Sequence, residues 1–260
     1  MTLQHGEILM ASGPSPRIGS NTTGLPYEDL SQLEKEAIEE AIRVAWNRLP
    51  VVAKHHSINL MDTDEETITR LLRDEIDKVR TSEAAEVPGF SEQTFQHIPE
   101  GENVPDSSGS PAKKHQKRPD LVFRPVHLPR SLRGRVPTSQ YGLFVECKII
   151  HRDRDHRGIS DYCKNGISRF VDGKYASGMP SGMMVAYVRT NDSVPSCLGG
   201  YLSQSANQLT YEVKVHPELC KARRPATPCV YISKHGRSAV IVDGKPISDI
   251  ELAHLRLPVS

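Results

Sequence analysis

Residues Phe144 to Ile150 read Phe-Val-Glu-Cys-Lys-Ile-Ile, an apolar, β-forming run with a glutamate and a lysine set inside it. A run of this composition predicts a buried strand. Buried strands rarely carry two ionisable groups unless these are paired or hold a metal. Residues i and i+2 of a strand point the same way, so Glu146 and Lys148 project side by side from one face. Upstream, Pro119 precedes a second β-like run, Asp120-Leu121-Val122-Phe123. If the two strands pair as a hairpin, Asp120 comes to lie beside Glu146. Two carboxylates and a lysine at one point suit a hard divalent cation and a phosphodiester.

The flanking sequence supplies the other elements. Residues 1–26 are rich in Gly, Ser, Pro and Thr and are expected to form a tail. Tyr27 to Leu49 predicts a helix, with Ser31 as cap, Glu34 as its capping-box partner and Leu33, Ala37, Ala41, Val44 and Ala45 as the apolar spacing. Asp62 to Val79 predicts a second helix, capped by Asp62, Thr63 or Asp64, with Ile68, Leu71, Leu72, Ile76 and Val79 facing inward. Phe95 to Ile98 reads as a short strand and 101–117 as a polar loop. Gly158 to Tyr175 predicts an amphipathic helix that buries Ile159, Tyr162, Cys163, Ile167, Phe170 and Val171. Gly182 to Val188 reads as an interior strand and Cys197 to Leu209 as a helix. Val230 to Ser233 and Ser238 to Val242 read as a hairpin, and Ile250 to Leu257 as a strand or short helix. This order predicts a mixed α/β fold, a sheet flanked by helices.

Composition narrows the function classes. The 260 residues are 37% hydrophobic and contain no apolar run of about 18 residues, so no membrane span is expected. The first residues lack a basic segment followed by an apolar one, and a secretory signal is not expected. Five scattered cysteines suit a reducing, cytoplasmic location better than a disulfide scaffold. From Tyr27 to Asp106 there are 8 Lys+Arg against 19 Asp+Glu, and from Ser107 to Ser260 there are 24 against 12. The basic back half is the side expected to meet a polyanion, although solvated faces of helices and loops are the simpler account of charge runs. His216, Cys220, Cys229 and His235 lack the tight spacing of a structural zinc site. No P-loop, dinucleotide fingerprint or nucleophile elbow is present. Ser233, His235 and Arg237 alternate and read as the exposed face of a hairpin, or as a row that contacts phosphate.

Pro119-Asp120, Glu146-Cys147-Lys148, the helix that follows and the apolar strand Met183 to Val188 together resemble the PD-(D/E)XK, or restriction-endonuclease-like, nuclease superfamily. The resemblance covers about Asp62 to Val188, close to half of the chain. It implies an α-β-β-β-α-β core, with 61–260 as the nuclease-like domain and 27–60 as an N-terminal helical extension. It also implies metal-dependent hydrolysis of phosphodiester bonds. Asp120 and Glu146 would hold one or two Mg²⁺ or Mn²⁺ ions, with the Cys147 carbonyl as a further ligand. Lys148 would orient the attacking water or stabilise the transition state. Members of the superfamily add a glutamate from the first core helix. Here Glu65 fills that place, with Glu66 and Glu75 as alternatives and a helix-dipole role in water equally open. Arg130, Arg133 and Arg135 in the β-hairpin connection, and Arg152, Arg154 and Arg157 after the central strand, are the expected nucleic-acid contacts. DNA is the expected substrate, with RNA left open, and restriction or antiviral defence is the expected role. An activating partner protein and a homodimer fit that role. The alternative is a catalytically silent nuclease-fold subunit that binds nucleic acid or a partner protein.

Overall fold

The computed structural model describes residues 27–99, 118–133, 140–150, 157–189, 194–219, 230–242 and 245–259. Arg135, Arg152, Arg154, Cys220 and Cys229, with the tail 1–26 and the loop 101–117, lie outside the described residues. So does the Arg157 side chain.

Helix α1 spans Gln32–His55 and α2 spans Glu65–Thr81. Ser31 caps α1 through the full reciprocal box with Glu34, satisfying two orphan donors at once. Asp64 caps α2 by accepting from the Thr67 amide at 2.7 Å. The expected α2 stripe is buried at every position, whereas Leu33 of α1 stands 68% exposed and belongs to solvent.

The strands are β1 (Phe95–Pro99), β2 (Leu121–Pro125), β3 (Leu143–Ile150), β4 (Ser181–Val188), β5 (Val213–Leu219), β6 (Val230–His235), β7 (Ile241–Val242), β8 (Lys245–Pro246) and β9 (Ile250–Pro258). Seven of them form one sheet in the order β1-β2-β3-β4-β9-β6-β5. β1, β2 and β3 run antiparallel in succession. The chain then crosses over through a helical segment, 157–171, so that β4 lies parallel to β3. From α2 to β4 the elements therefore succeed one another as α-β-β-β-α-β. β4 is buried at every residue, as expected of a strand covered on both faces.

α1 packs on the same core. Trp46 stacks on Tyr187 of β4 at 5.4 Å and donates its indole N–H to the Pro258 carbonyl of β9 at 3.0 Å. No helix among the described residues is long and apolar enough to cross a membrane.

The C-terminal third differs from the sequence reading. The expected hairpin of 230–233 with 238–242 does not form. β6 pairs with β9 on one side and β5 on the other, while β7 pairs with β8 in a separate small ribbon. β5, with its bulged and mostly exposed pattern, has no clean alternation to announce it. The expected helix 197–209 breaks into 195–202 and Ser205–Thr210.

Ser233, His235 and Arg237 are not an exposed row; all three are buried. The Arg237 guanidinium is satisfied by the carbonyls of Ser248, Ala176 and Met179 at 2.9–3.1 Å. Ser233 and His235 belong to a buried chain of hydrogen bonds whose direction can be deduced. His235 Nδ1 lies 2.7 Å from the Tyr211 carbonyl, which only accepts, so Nδ1 carries the proton. Burial holds His235 down to about 4 and His254 down to about 3, so both rings are neutral. His235 Nε2 therefore accepts from Ser233 Oγ at 2.8 Å. Ser233 Oγ in turn accepts from His254 Nε2 at 2.7 Å, and His254 Nδ1 accepts from the Tyr162 hydroxyl at 2.8 Å. This chain ties the 157–171 helical segment through β9 and β6 to the turn before β5.

Candidate active site

Leu121 pairs with Val145 across the β2–β3 ladder, which brings the preceding Asp120 opposite Glu146. Asp120 Oδ2 accepts from the Cys147 amide at 2.7 Å. Glu146 and Lys148 share one face of β3, as their spacing requires, and Lys148 Nζ lies 2.9 Å from Glu146 Oε1. α2 brings in Glu65. Its Oε1 accepts from Lys148 Nζ at 2.5 Å and its Oε2 from the Ile149 amide at 3.1 Å. Of the three glutamates open to this role in the sequence, Glu65 is thus the one that reaches β3. Glu75 pairs with Lys78 on its own helix instead. Arg189 fixes the turn that leads into α2 by donating to the carbonyls of Leu60, at 2.7 Å, and Thr63.

The 157–171 segment supplies the other side. Its middle turn, Tyr162–Ile167, is π-helical, a local widening often found where a helix serves a site. All six side chains expected on its inner face are buried. Gly166 lets this turn lie close to the sheet. A Cβ there would stand 2.3 Å from Met184 Cε and 3.7 Å from Lys148 Cγ. Arg169 then reaches Glu146 Oε1, donates to the Tyr175 hydroxyl at 2.7 Å and stacks over the Tyr175 ring at 5.4 Å. Tyr175 donates onward to the Arg118 carbonyl at 2.8 Å.

Electrostatics follow from this crowding. Burial, reinforced by the charge of Asp120, pushes the Glu146 carboxyl up to about 7. Burial also raises Asp120 and Glu65, with Lys148 pulling each back. Burial works against the charged Lys148, but Glu146, Glu65 and Asp120 outweigh it and hold the ammonium above the ordinary lysine value. Burial keeps the Cys147 thiol neutral, so it is a core group and not a nucleophile.

Among the described residues, no group of three or more His, Cys, Asp or Glu is arranged to hold a metal ion by itself. The donor set nonetheless fits an ion that keeps much of its water shell. Glu146 Oε2 is buried and has no hydrogen-bond partner. It and the second Asp120 oxygen are the oxygens available to such an ion. Mg²⁺ is typically held by one or two carboxylates, with water and substrate phosphate completing its shell. The Cys147 carbonyl, the third expected ligand, accepts from Lys148 Nζ at 2.9 Å, so a cation there would compete with the lysine.

Of the expected arginines, the described side chains are those of Arg130 and Arg133. β2 is five residues long, and the connection to β3 leaves from its far end, about 17 Å from Asp120. Arg130 and Arg133 are exposed on that connection, and Arg133 turns back to the Leu128 carbonyl. Two other arginines, Arg73 and Arg118, line a cleft of about 390 Å³ beside Asp120 and Glu65. The sequence reading passed over both, since neither lies within a motif. Burial separates the two cations of the helix that follows the motif strand. Arg169 faces the site, and Lys164 is exposed.

The fold and site together define a mixed α/β protein that gathers three carboxylates and two cations where a parallel strand pair begins. Comparison with family models, curated proteins and solved structures found no match for this chain.

Proposed function

We propose that this protein is a metal-dependent nuclease of the PD-(D/E)XK type that hydrolyses phosphodiester bonds, with DNA as substrate and restriction or defence as its setting. One observation carries the reading: the unpartnered, buried Glu146 Oε2, beside Asp120 and Lys148. The α-β-β-β-α-β succession supports it, with Asp120 just before the second strand and Glu146 on the third. Asp120 and Glu146 would hold Mg²⁺ or Mn²⁺, which supplies a water of lowered pKa and neutralises charge on the phosphate.

The chain's own residues do the rest. Asp120 is fixed by the Cys147 amide and Glu146 by Lys148 and Arg169, so neither carboxylate must reorganise. Lys148 stays protonated, ready to meet charge developing on a phosphate oxygen. It spends all three N–H donors on Glu65, Glu146 and the Cys147 carbonyl. Contact with substrate therefore requires it to release one partner. Glu65, with its side chain 32% exposed, is the partner open to exchange with solvent.

That closed ion network also supports a second reading, a silent nuclease fold that only binds. The two are separated by incubating supercoiled plasmid, linear duplex and single-stranded RNA with Mg²⁺, Mn²⁺ or EDTA. Wild type is compared with Glu146→Ala and Lys148→Ala. Metal-dependent cutting that falls by about a hundredfold or more in both variants is the expected result. Binding without cutting under every condition would favour the second reading.

A further inference from the structure

The cleft beside the carboxylates has two chemically different ends. Its lining comes from two walls, Glu65, Glu66, Thr69 and Arg73 of α2, and Arg118 and Asp120 of the segment that enters β2. Glu65, Thr69 and Arg73 recur every four residues and so share one ridge of the helix. Eight residues of helix separate the Glu65 level from the Arg73 level by roughly 12 Å. On the other wall, Arg118 precedes Asp120 by two residues. The carboxylates of Glu65, Glu66 and Asp120 thus collect toward the start of α2, with guanidinium groups from both walls beside them. The Arg118 backbone is fixed through its carbonyl by Tyr175, whose hydroxyl also receives Arg169 from the site.

A cleft for a small cation needs only the carboxylates, and two arginines would weaken it. A cleft for a small anion needs only the arginines, and three carboxylates would weaken that. A ligand that is anionic itself and carries a cation with it satisfies both ends. A nucleic-acid strand with a divalent ion at one phosphate is such a ligand. Arginine is the side chain whose fork matches phosphate oxygens in pairs. At an axial spacing of about 3.4 Å per nucleotide, the separation along α2 corresponds to roughly three nucleotides.

Resting on the nuclease reading above, we propose that Arg73 and Arg118 hold the sugar-phosphate backbone of the nucleic-acid strand on the α2 side of the cut. The strand leaves the carboxylates along α2 and not along the β2–β3 connection. The arginines touch phosphate and not base edges, so the contact adds affinity without sequence preference.

The test separates binding from cutting. A fluorescein-labelled duplex oligonucleotide and its single strand are titrated, by fluorescence polarisation in EDTA, with full-length Glu146→Gln protein. Arg73→Gln, Arg118→Gln and Arg130→Gln are each added to that background, over a series of salt concentrations. Arg73→Gln and Arg118→Gln are each expected to weaken binding by about tenfold and to lower the salt slope by about one. Arg130→Gln is expected to change neither. Arg118 is exposed, so its variant tests the inference even if Arg73→Gln does not fold. Unchanged affinity and slope in folded Arg118→Gln would overturn the inference. An equal loss from Arg130→Gln would also overturn it, since that is the signature of diffuse surface charge. Metal-dependent cutting by wild type, alongside either of those results, would leave the nuclease reading standing. A wild-type protein that neither binds nor cuts nucleic acid would remove both.

Discussion

Glu146 is the most constrained ionisable residue of the candidate site. One of its oxygens takes two cations and the other has no partner, while burial and Asp120 hold its carboxyl up to about 7. On the metal-dependent reading proposed above, a divalent ion would bind the ionised form, so protons and metal would compete at this side chain. As pH rises through about 7 the carboxyl loses its proton, and on that reading the metal affinity would increase. Mn²⁺ affinity, read by electron paramagnetic resonance of the free ion, is therefore expected to rise with pH up to about 8 and then level. Glu146→Gln should flatten that limb and weaken binding overall. A pH-independent affinity in wild type would mean that Glu146 is not a ligand. At this scale the sequence was informative because a glutamate and a lysine inside an apolar strand are costly, and the cost marks them. Arg73 and Arg118 bear no such mark. They sit on a helix surface and an extended entry segment where arginine is ordinary; the fold brings Arg73 to Asp120, and Arg118, two residues from Asp120 in the chain, shows its place on the cleft wall only in the structure.

At the scale of elements, strong periodicity was legible and weak periodicity was not. α2, β3, β4 and the 157–171 segment each announce themselves, because their buried faces are built from consecutive turns or unbroken apolar runs. β5 is an irregular edge strand with little to bury, and it left no pattern. The row Ser233, His235 and Arg237 misled for a physical reason. Alternating polar residues normally face water, but here each is satisfied internally by a hydroxyl, an imidazole or a carbonyl. That burial has a measurable cost in acid. His235, His254 and His97 are all held well below the usual 6.5, to between about 3 and 4, by burial. Below pH 6.5 the unfolded chain takes up protons at these residues and the folded chain does not. Folding stability is therefore lost as pH falls toward about 4, by about 1.4 kcal/mol per pH unit for each histidine. Glu146 acts in the opposite sense. Its raised value means that the folded chain takes up a proton first, adding stability as pH falls from about 7 to 4.5. Asp120 and Glu65, also raised by burial, act with it closer to the ordinary carboxylate range, so the loss from the histidines is clearest between about pH 6.5 and 5.5, where urea midpoints should drop, and drop more steeply in Glu146→Gln. A midpoint that does not change over that range would show that these rings are not held neutral.

For the whole molecule, the topology of the sheet matters most. Among the described residues, β1–β4 and β5–β6 join into one sheet through β9, which pairs with β4 on one side and β6 on the other. β9 also supplies His254 to the buried chain that begins at Tyr162 and the carbonyl that receives Trp46. Replacing two of its inward residues, Leu252 and Leu255, with alanine should cost about 4–10 kcal/mol, enough to unfold a domain of ordinary stability. Loss of the cooperative thermal transition in that double variant is the expected result. A transition that persists within a few degrees of wild type would show that the two halves hold together without β9. The same arrangement has a consequence in time. β9 follows every other strand along the chain, so during synthesis β4 and β6 must each wait with an open edge until residues 250–258 leave the ribosome. Until then the strands can pair only as β1–β4 and as β5–β6, each with an open edge, the condition in which mispairing is easiest.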